Sequence, residues 1–479
     1  MSKELLKSHI DGAWTLPKTS TQTFTAINPA TEEVAAKIAM CGPDDVDLAV
    51  AAAQRAFTSY GFTMLDERIA LVEQLIAVFE RRYAEMVTAI STEMGAPYDL
   101  SHDAQAECGP GHLRETIKAA RAMEWEHPIG ATGSLVYEPI GVCALITPWN
   151  WPINQLAAKI GPALVAGCTM VLKPSEIAPL SAQLFAEFID EAGFPPGVFN
   201  LVHGSGAGIG DALTGHPGVD MVSFTGSTRA GVQIAKSAAD TVKRVSQELG
   251  GKSPNIVFDD AALEAAVTRG VIDCFSNTGQ SCNAPTRMLV EASAYDRAVQ
   301  FAKAAAATVT LGDPLAKGPH LGPVVSKLHY DKIQRLIQIG IDEGAVLVAG
   351  GTGKPAGFER GFYVKPTIFA GVHNQMTIAR EEVFGPVLVM IPFADEAEAI
   401  AIANDTPYGL AAYVQSLDLE RAHRVARQLR AGGVSLNGHG QDYCSPFGGY
   451  RQSGNGREWG AWGLHDFLEV KVVNGFYAA

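Results

Sequence analysis

Residues 142–173 read VCALITPWNWPINQLAAKIGPALVAGCTMVLK, and this stretch decides the fold class. Val142 to Ile146 is a short continuous apolar run, the pattern of a strand buried on both faces. It ends at Thr147-Pro148, because proline has no N–H to give a ladder. Ile153 to Val165 reads as a helix. Met170-Val171-Leu172 is a second short strand, closed by Lys173-Pro174.

The alternation continues outward. Ser181 to Glu191 reads as a helix, Val198 to Val202 as a strand, and Asp211 to Leu213 as the opening of another helix. Met221 to Phe224 is a strand and Thr228 to Ala239 a helix. Alternation at this pitch implies α/β with a parallel, doubly wound sheet, whose ligands sit beyond the carboxyl ends of the strands. A second α/β pattern runs from near Ser253 to about Leu436. It includes strands at Asn255 to Phe258 and Arg287 to Val290, helices at Ala261 to Ser276 and Ala294 to Ala307, and a loop at Gly350 to Gly353. Upstream, Asp66 to Met94 reads as one long amphipathic helix, with Leu71, Leu75 and Val78 on one face, Asp66 as its cap and Gly95 as its stop. Near the end, Phe467 to Val473 looks like a strand with few partners of its own. Pairing with another subunit and a local sheet edge both fit it.

Bulk properties narrow the function. Four hundred and seventy-nine residues exceed what one small core needs. Acidic residues outnumber basic ones by 51 to 37, for a net charge of −14, and no Lys/Arg cluster interrupts the excess, so nucleic acid and anionic membranes are poor partners. The seven cysteines form no CxxC, and the twelve histidines form no HxH or HExxH, so no metal site is expected. Met1 to Trp14 lacks the apolar core of a signal peptide, and a cytoplasmic location is expected.

Five clusters carry candidate chemistry. Cys282 closes Asn277-Thr278-Gly279-Gln280-Ser281-Cys282, a small, polar, Gly-bearing stretch that allows exposure. Its thiolate would be a strong nucleophile if something lowers its pKa. Glu248 precedes Gly250-Gly251 and could project into a cleft as a general base. Asn150, held in Pro148-Trp149-Asn150-Trp151-Pro152, offers a rigid amide donor for an oxyanion. Gly226-Ser227-Thr228-Arg229-Ala230-Gly231 follows a strand and opens a helix, where free N–H groups meet phosphate. Lys173-Pro174-Ser175-Glu176 could hold ribose hydroxyls. Gly204-Ser205-Gly206-Ala207-Gly208-Ile209-Gly210 lacks the GxGxxG register. Taken singly, each has an ordinary reading: a core thiol, a helix-end carboxylate, a turn asparagine, a helix cap, or a capping box.

Together and in this order the clusters resemble the aldehyde dehydrogenase superfamily. The match runs from Ile27-Asn28-Pro29-Ala30-Thr31 to Leu468-Glu469-Val470-Lys471 and also takes in Glu381-Glu382-Val383-Phe384-Gly385-Pro386 and Pro446-Phe447-Gly448-Gly449. The resemblance implies that Cys282 is the nucleophile, Glu248 the base, and Asn150 with the Cys282 N–H the oxyanion hole. Glu458 would relay protons behind the base. Ile146, Thr147, Trp149, Lys173, Ser175, Glu176, Gly206, Gly210, Phe224, Gly226, Ser227, Gly231, Leu249, His329, Glu382 and Phe384 would bind NAD, with NADP left open as an alternative. Trp151, Phe275, Ser281, Asn283 and Tyr443, with Trp459, would line an apolar substrate tunnel for a neutral aliphatic or aromatic aldehyde.

The implied reaction oxidises an aldehyde to an acid through a thioester on Cys282. Release to coenzyme A, a thiol esterase without nicotinamide, and a non-catalytic relative are the alternatives. The implied architecture is a Rossmann-like cofactor domain (1–121 and 141–249), an α/β catalytic domain (250–446) and a small β oligomerisation element (122–140 and 466–479). That element would assemble a homodimer or homotetramer. Two departures from the family stand out: Arg451 where Lys is usual, and Trp151 where Phe is common.

Overall fold

The computed structural model describes residues 3–477; the outermost ends of the expected cofactor domain (1–2) and oligomerisation element (478–479) lie outside the described residues. A seven-stranded sheet runs in the order Arg244–Glu248, Met221–Thr225, Val142–Ile146, Thr169–Lys173, Phe199–Leu201, Ser8–Ile10 and Ala13–Thr15. Its first five strands are mutually parallel, and the two N-terminal strands add antiparallel at one edge. Val142–Ile146 and Met221–Thr225 are neighbours, yet the chain winds away from Val142–Ile146 on the other side first. The switch of winding direction therefore falls between them, where α/β sheets open a crevice.

The helix Pro152–Ala166 leaves the end of Val142–Ile146. Proline at its first position needs no N–H partner, and Gly167 ends it at φ 97°. A second seven-stranded sheet, Val346–Ala349, Thr367–Ala370, Val387–Phe393, Arg287–Glu291, Pro254–Val257, Ala411–Gln415 and Gly433–Leu436, is parallel except at its first pair.

Three readings change. Asp66 to Met94 is two helices, Leu65–Arg81 and Tyr83–Met94, with Met64 rather than Asp66 at the first cap. The break at Arg82 has no glycine or proline behind it. It is tertiary: the Arg82 guanidinium pairs with Glu187 at 2.9 Å and lies over the Phe188 ring. Asp211 opens only a four-residue helix, preceded by a π-turn at Gly206–Gly210. The terminal strand, Leu468–Val473, is not short of partners. It pairs antiparallel with Gly133–Pro139, which pairs with Glu126–Ile129, so one of its edges is satisfied within the chain.

Candidate active site

Both strands at the switch point deliver a loop into one crevice. Val142–Ile146 leads into Pro148-Trp149-Asn150, and Met221–Thr225 leads into Gly226-Ser227. A cavity of about 300 Å³ lies between them, lined also by Leu249, Gly250, Cys282, His329, Lys332, Glu382 and Phe384. Ser227 caps the helix Thr228–Ala238, its Oγ accepting from Ala230 N at 3.3 Å. The dipole of that helix favours an anion at this end. Thr225 Oγ1, buried in the same wall, has no partner within the protein.

The nucleophile loop is held from every side. Asn277 and Thr278 take φ of 52° and 54°, and a Cβ on Gly279 would collide with the Gly385 carbonyl. Asn277 Nδ2 donates to the carbonyls of Asn150 (2.9 Å) and Gln280 (3.1 Å), and Gln105 donates to Asn277 Oδ1 (2.9 Å). Thr278 donates to the Gly322 carbonyl. Asn150 Nδ2 donates to the Gln280 carbonyl at 3.1 Å, which leaves its second N–H for a group beside Cys282. The N–H groups of Cys282 and Asn283 approach the sulfur.

No cation lowers the thiol's pKa. Burial, then the charges of Glu382 and Glu248, push the Cys282 thiol well up. Glu248 ends the strand Arg244–Glu248 and is buried, with both carboxylate oxygens unpartnered. Its Oε1 faces glycines: the Cβ position of Gly448 lies 2.6 Å from it and 3.0 Å from Arg457 Nη1. Burial, then the nearby Glu458, hold its carboxyl far above the usual carboxylate range. Glu458 is itself ion-paired to Lys159, a buried lysine inside Pro152–Ala166 that also donates to Ser223 Oγ.

The cofactor candidates divide. Trp149, Gly226, Ser227, Leu249, His329, Glu382 and Phe384 line the cavity. Ile146 and Phe224 pack behind Leu249 in one apolar cluster, and Thr147 is buried, its N–H on the Lys173 carbonyl. Gly231 serves packing: a Cβ there would meet Leu249 at 2.8 Å. Lys173 Nζ stands 3.6 Å from Glu176, and Ser175 receives Ile177 N. Ser175 is no capping box, since the next helix begins only at Pro179. Gly206 and Gly210 face open space, where a Cβ would meet nothing within 4 Å. Glu382 Oε1 accepts from Gly251 N at 3.0 Å. His329, neutral because burial lowers it to about 4, donates through Nε2 to the Phe384 carbonyl at 2.6 Å and fixes that residue at φ 61°.

On the substrate side Trp151 Nε1 donates to Ser281 Oγ at 2.8 Å. Tyr443 packs edge-on and Trp459 tilted against His112, with ring centroids 4.7 and 5.1 Å away. Asn283 and Trp459 border a separate cavity of about 310 Å³. Phe275 is no tunnel residue: it is fully buried in the core beside Val271, Cys274 and Met288, on the face of its helix turned to the second sheet.

Sequence reasoning passed over Lys159, Lys332, Asn277 and His112. Lys159 had a signal, a lone charge within an apolar helix. Asn277 lay inside a quoted motif, but only its partners give it a role.

Comparison with known proteins agrees with this geometry. Residues 14–473 match the model of the aldehyde dehydrogenase family. The chain is 53% identical over 469 residues to a 3-succinoylsemialdehyde-pyridine dehydrogenase from a Pseudomonas species, covering 98% of each. An aldehyde dehydrogenase from Bartonella henselae superposes with a TM-score of 0.97 at 51% identity, covering 98% of this chain and 99% of that one. Aldehyde dehydrogenase C of Pseudomonas syringae, solved as a cysteine-to-alanine variant with NAD+ and octanal, gives 0.97 at 48% identity, over 99% and 97%. The chain belongs to the aldehyde dehydrogenase family and is an oxidoreductase acting on aldehydes.

Proposed function

We propose that this enzyme oxidises an aldehyde to a carboxylic acid with NAD, using Cys282 as nucleophile, Asn150 and the Cys282 N–H as oxyanion hole, and Glu248 as the base of hydrolysis. One observation carries the reading: Cys282, the free N–H of Asn150 and the Ser227 helix end converge on a single cavity. That cavity suits a dinucleotide. The helix end would take the pyrophosphate, Glu382 a ribose, and Leu249 and Phe384 the flat ring, with Lys173 and Glu176 at the adenosine end. Bound there, NAD accepts the hydride. An acidic Glu176 beside the ribose disfavours the extra phosphate of NADP.

This chain's own residues do the rest. The Cys282 sulfur adds to the aldehyde carbon as its S–H proton leaves to solvent water, and the oxyanion meets Asn150 and backbone N–H. After oxidation, Glu248 takes a proton from water as it attacks the thioester. Its burial beside Glu458 holds the carboxyl above the ordinary carboxylate range, the direction that strengthens a general base. An intact Glu248 favours release to water over release to coenzyme A.

A medium-sized, neutral aliphatic or aromatic aldehyde is the proposed substrate class. It is supported by the aromatic run Tyr443, His112, Trp459 and by the octanal and pyridine-bearing aldehyde named for the two relatives. The three sheets support division at 1–121 with 141–249, 250–446, and 122–140 with 466–479. The outer edge of Leu468–Val473, with Val470 and Val472 exposed, supports a homodimer or homotetramer. A cytoplasmic location is supported by the seven free cysteines; among the described residues no helix is long and apolar enough to cross a membrane.

The test is NADH formation over an aldehyde panel, with NADP in parallel. Turnover with NAD that vanishes in Cys282→Ala, while NAD still binds that variant, is the expected result. Retained dehydrogenase activity in Cys282→Ala would reject the nucleophile.

A further inference from the structure

Behind Glu248 the structure holds two acid partners, not one. Glu458, paired with Lys159, is the first. The second begins at Ser246, two residues before Glu248 on the same strand, so both side chains leave the same face. Ser246 Oγ donates to Oδ2 of Asp466, the last residue of the helix Gly460–Asp466. Asp466 is half-buried and reaches solvent, whereas Ser246 and Glu248 are buried.

Gly456 connects this pair to the base. A Cβ at Gly456 would press on Ser246 Oγ and stand 3.1 Å from Glu248 Oε1. Both oxygens crowd that one point, so they stand within about 5.5 Å of each other, the reach of one bridging water. The surrounding charges are few. Glu248 faces Glu458, Lys159, Arg457 and Asp466. Asp466 faces Glu458, Lys159 and Arg244. Arg244 is anchored independently of the Asp466 carboxylate: it holds the backbone carbonyls of Asp466 and Leu468 and pairs with Glu469 at 2.9 Å.

We propose that Ser246 and Asp466 form a proton exit from Glu248 that runs past Gly456 to the surface, separate from the Glu458–Lys159 pair. The inference rests on Glu248 acting as the base. In thioester hydrolysis the C–O bond to water forms and the C–S bond breaks. Of the two water protons, one ends on the Cys282 sulfur and one leaves. The leaving proton passes from the attacking water to the Glu248 carboxylate and on to a bridging water. This water, bridging Glu248 and Ser246, gives a proton to Ser246 Oγ as Ser246 releases its own to Asp466, and Asp466 delivers it to solvent. Ser246 and Asp466 touch neither substrate nor cofactor and are positioning residues.

Stopped-flow traces of the full-length protein separate the NADH burst from deacylation. They are run across pH, in H2O and D2O, for the wild type, Ser246→Ala, Asp466→Asn and Asp466→Glu. Ser246→Ala changes no charge. It is expected to leave the burst intact, slow plateau deacylation about tenfold, enlarge the solvent isotope effect and leave the acid limb in place. A general base contributes roughly 10²–10⁴-fold, and the Glu458 route remains. Asp466→Asn is expected to slow deacylation similarly while moving the limb to lower pH, because a negative neighbour of Glu248 is gone. Asp466→Glu is expected to restore the rate. Deacylation, pH profile and isotope effect matching the wild type in both Ser246→Ala and Asp466→Asn would overturn the route. A burst lost in step with deacylation would overturn it too, as damage to structure. A wild type whose deacylation does not need Glu248, shown by Glu248→Gln turning over normally, would reject the base and the route together.

Discussion

Asn277 Nδ2 sits 2.9 Å from the backbone carbonyl of Asn150, so the turn that presents Cys282 also fixes the amide facing it. The two sides of the oxyanion site are thereby one rigid unit, although 127 residues separate them in the chain. Asn277→Ala leaves the buried Asn150 carbonyl and Gln105 amide without this partner and takes one of two donors from the Gln280 carbonyl, which keeps Asn150 Nδ2. Such groups cost about 1–3 kcal/mol each when left unsatisfied. The expected outcome is a kcat lowered by at least about tenfold with NAD binding retained, and a lower urea midpoint.

Asn150→Ala removes the side-chain donor itself. Loss of one oxyanion donor costs about 10²–10³-fold in kcat. Fluorescence titration should show unchanged NAD affinity, while single-turnover NADH formation slows by that factor. An unslowed hydride step would remove Asn150 from the site.

The carboxyl of Glu248 is raised, mainly by burial and then by Glu458. Its base form is therefore lost as pH falls through a value above the ordinary carboxylate range. Deacylation should decline on the acid side at a pH above that where an exposed glutamate titrates (about 4.3). Glu248→Gln should give a burst of NADH and then stall at every pH. Normal steady-state turnover in that variant would argue against the assignment.

Lys159→Met leaves Glu458 buried without its cation. Removing one partner of such a pair costs about 3–5 kcal/mol. The double variant Lys159→Met/Glu458→Gln should recover much of that stability but not the rate, which denaturation and steady-state assays distinguish.

His329 is held neutral to about pH 4 by burial and donates to the Phe384 carbonyl. NAD affinity should therefore be flat through the ordinary histidine range near pH 6.5. His329→Ala should raise the KM for NAD through a loosened Phe384, with kcat less affected.

What the sequence exposed and what it hid divide along a physical line. Strand–helix alternation is local, so both parallel sheets could be read from periodicity. The motifs around Asn150, Ser227, Cys282 and Glu382 stand out because tight turns demand glycine, proline and small polar residues, and the structure brings all four to one cavity. Contacts set by distant chain segments stayed hidden. Arg82 breaks a helix through Glu187 and Phe188, which no nearby residue announces. Phe275 is close to Cys282 in the chain, yet its helix face points into the core. Lys159 matters only because Glu458, 299 residues later, is folded against it.

The walls around Glu248 come from the far end of the chain: Gly448, Gly456, Arg457 and Glu458 surround the carboxylate, and Arg244 grips the backbone at Asp466 and Leu468. A ribosome making this protein therefore finishes the hydrolytic half of the site last. A chain released before Gly448 has been added carries the Cys282 loop without the walls that enclose Glu248.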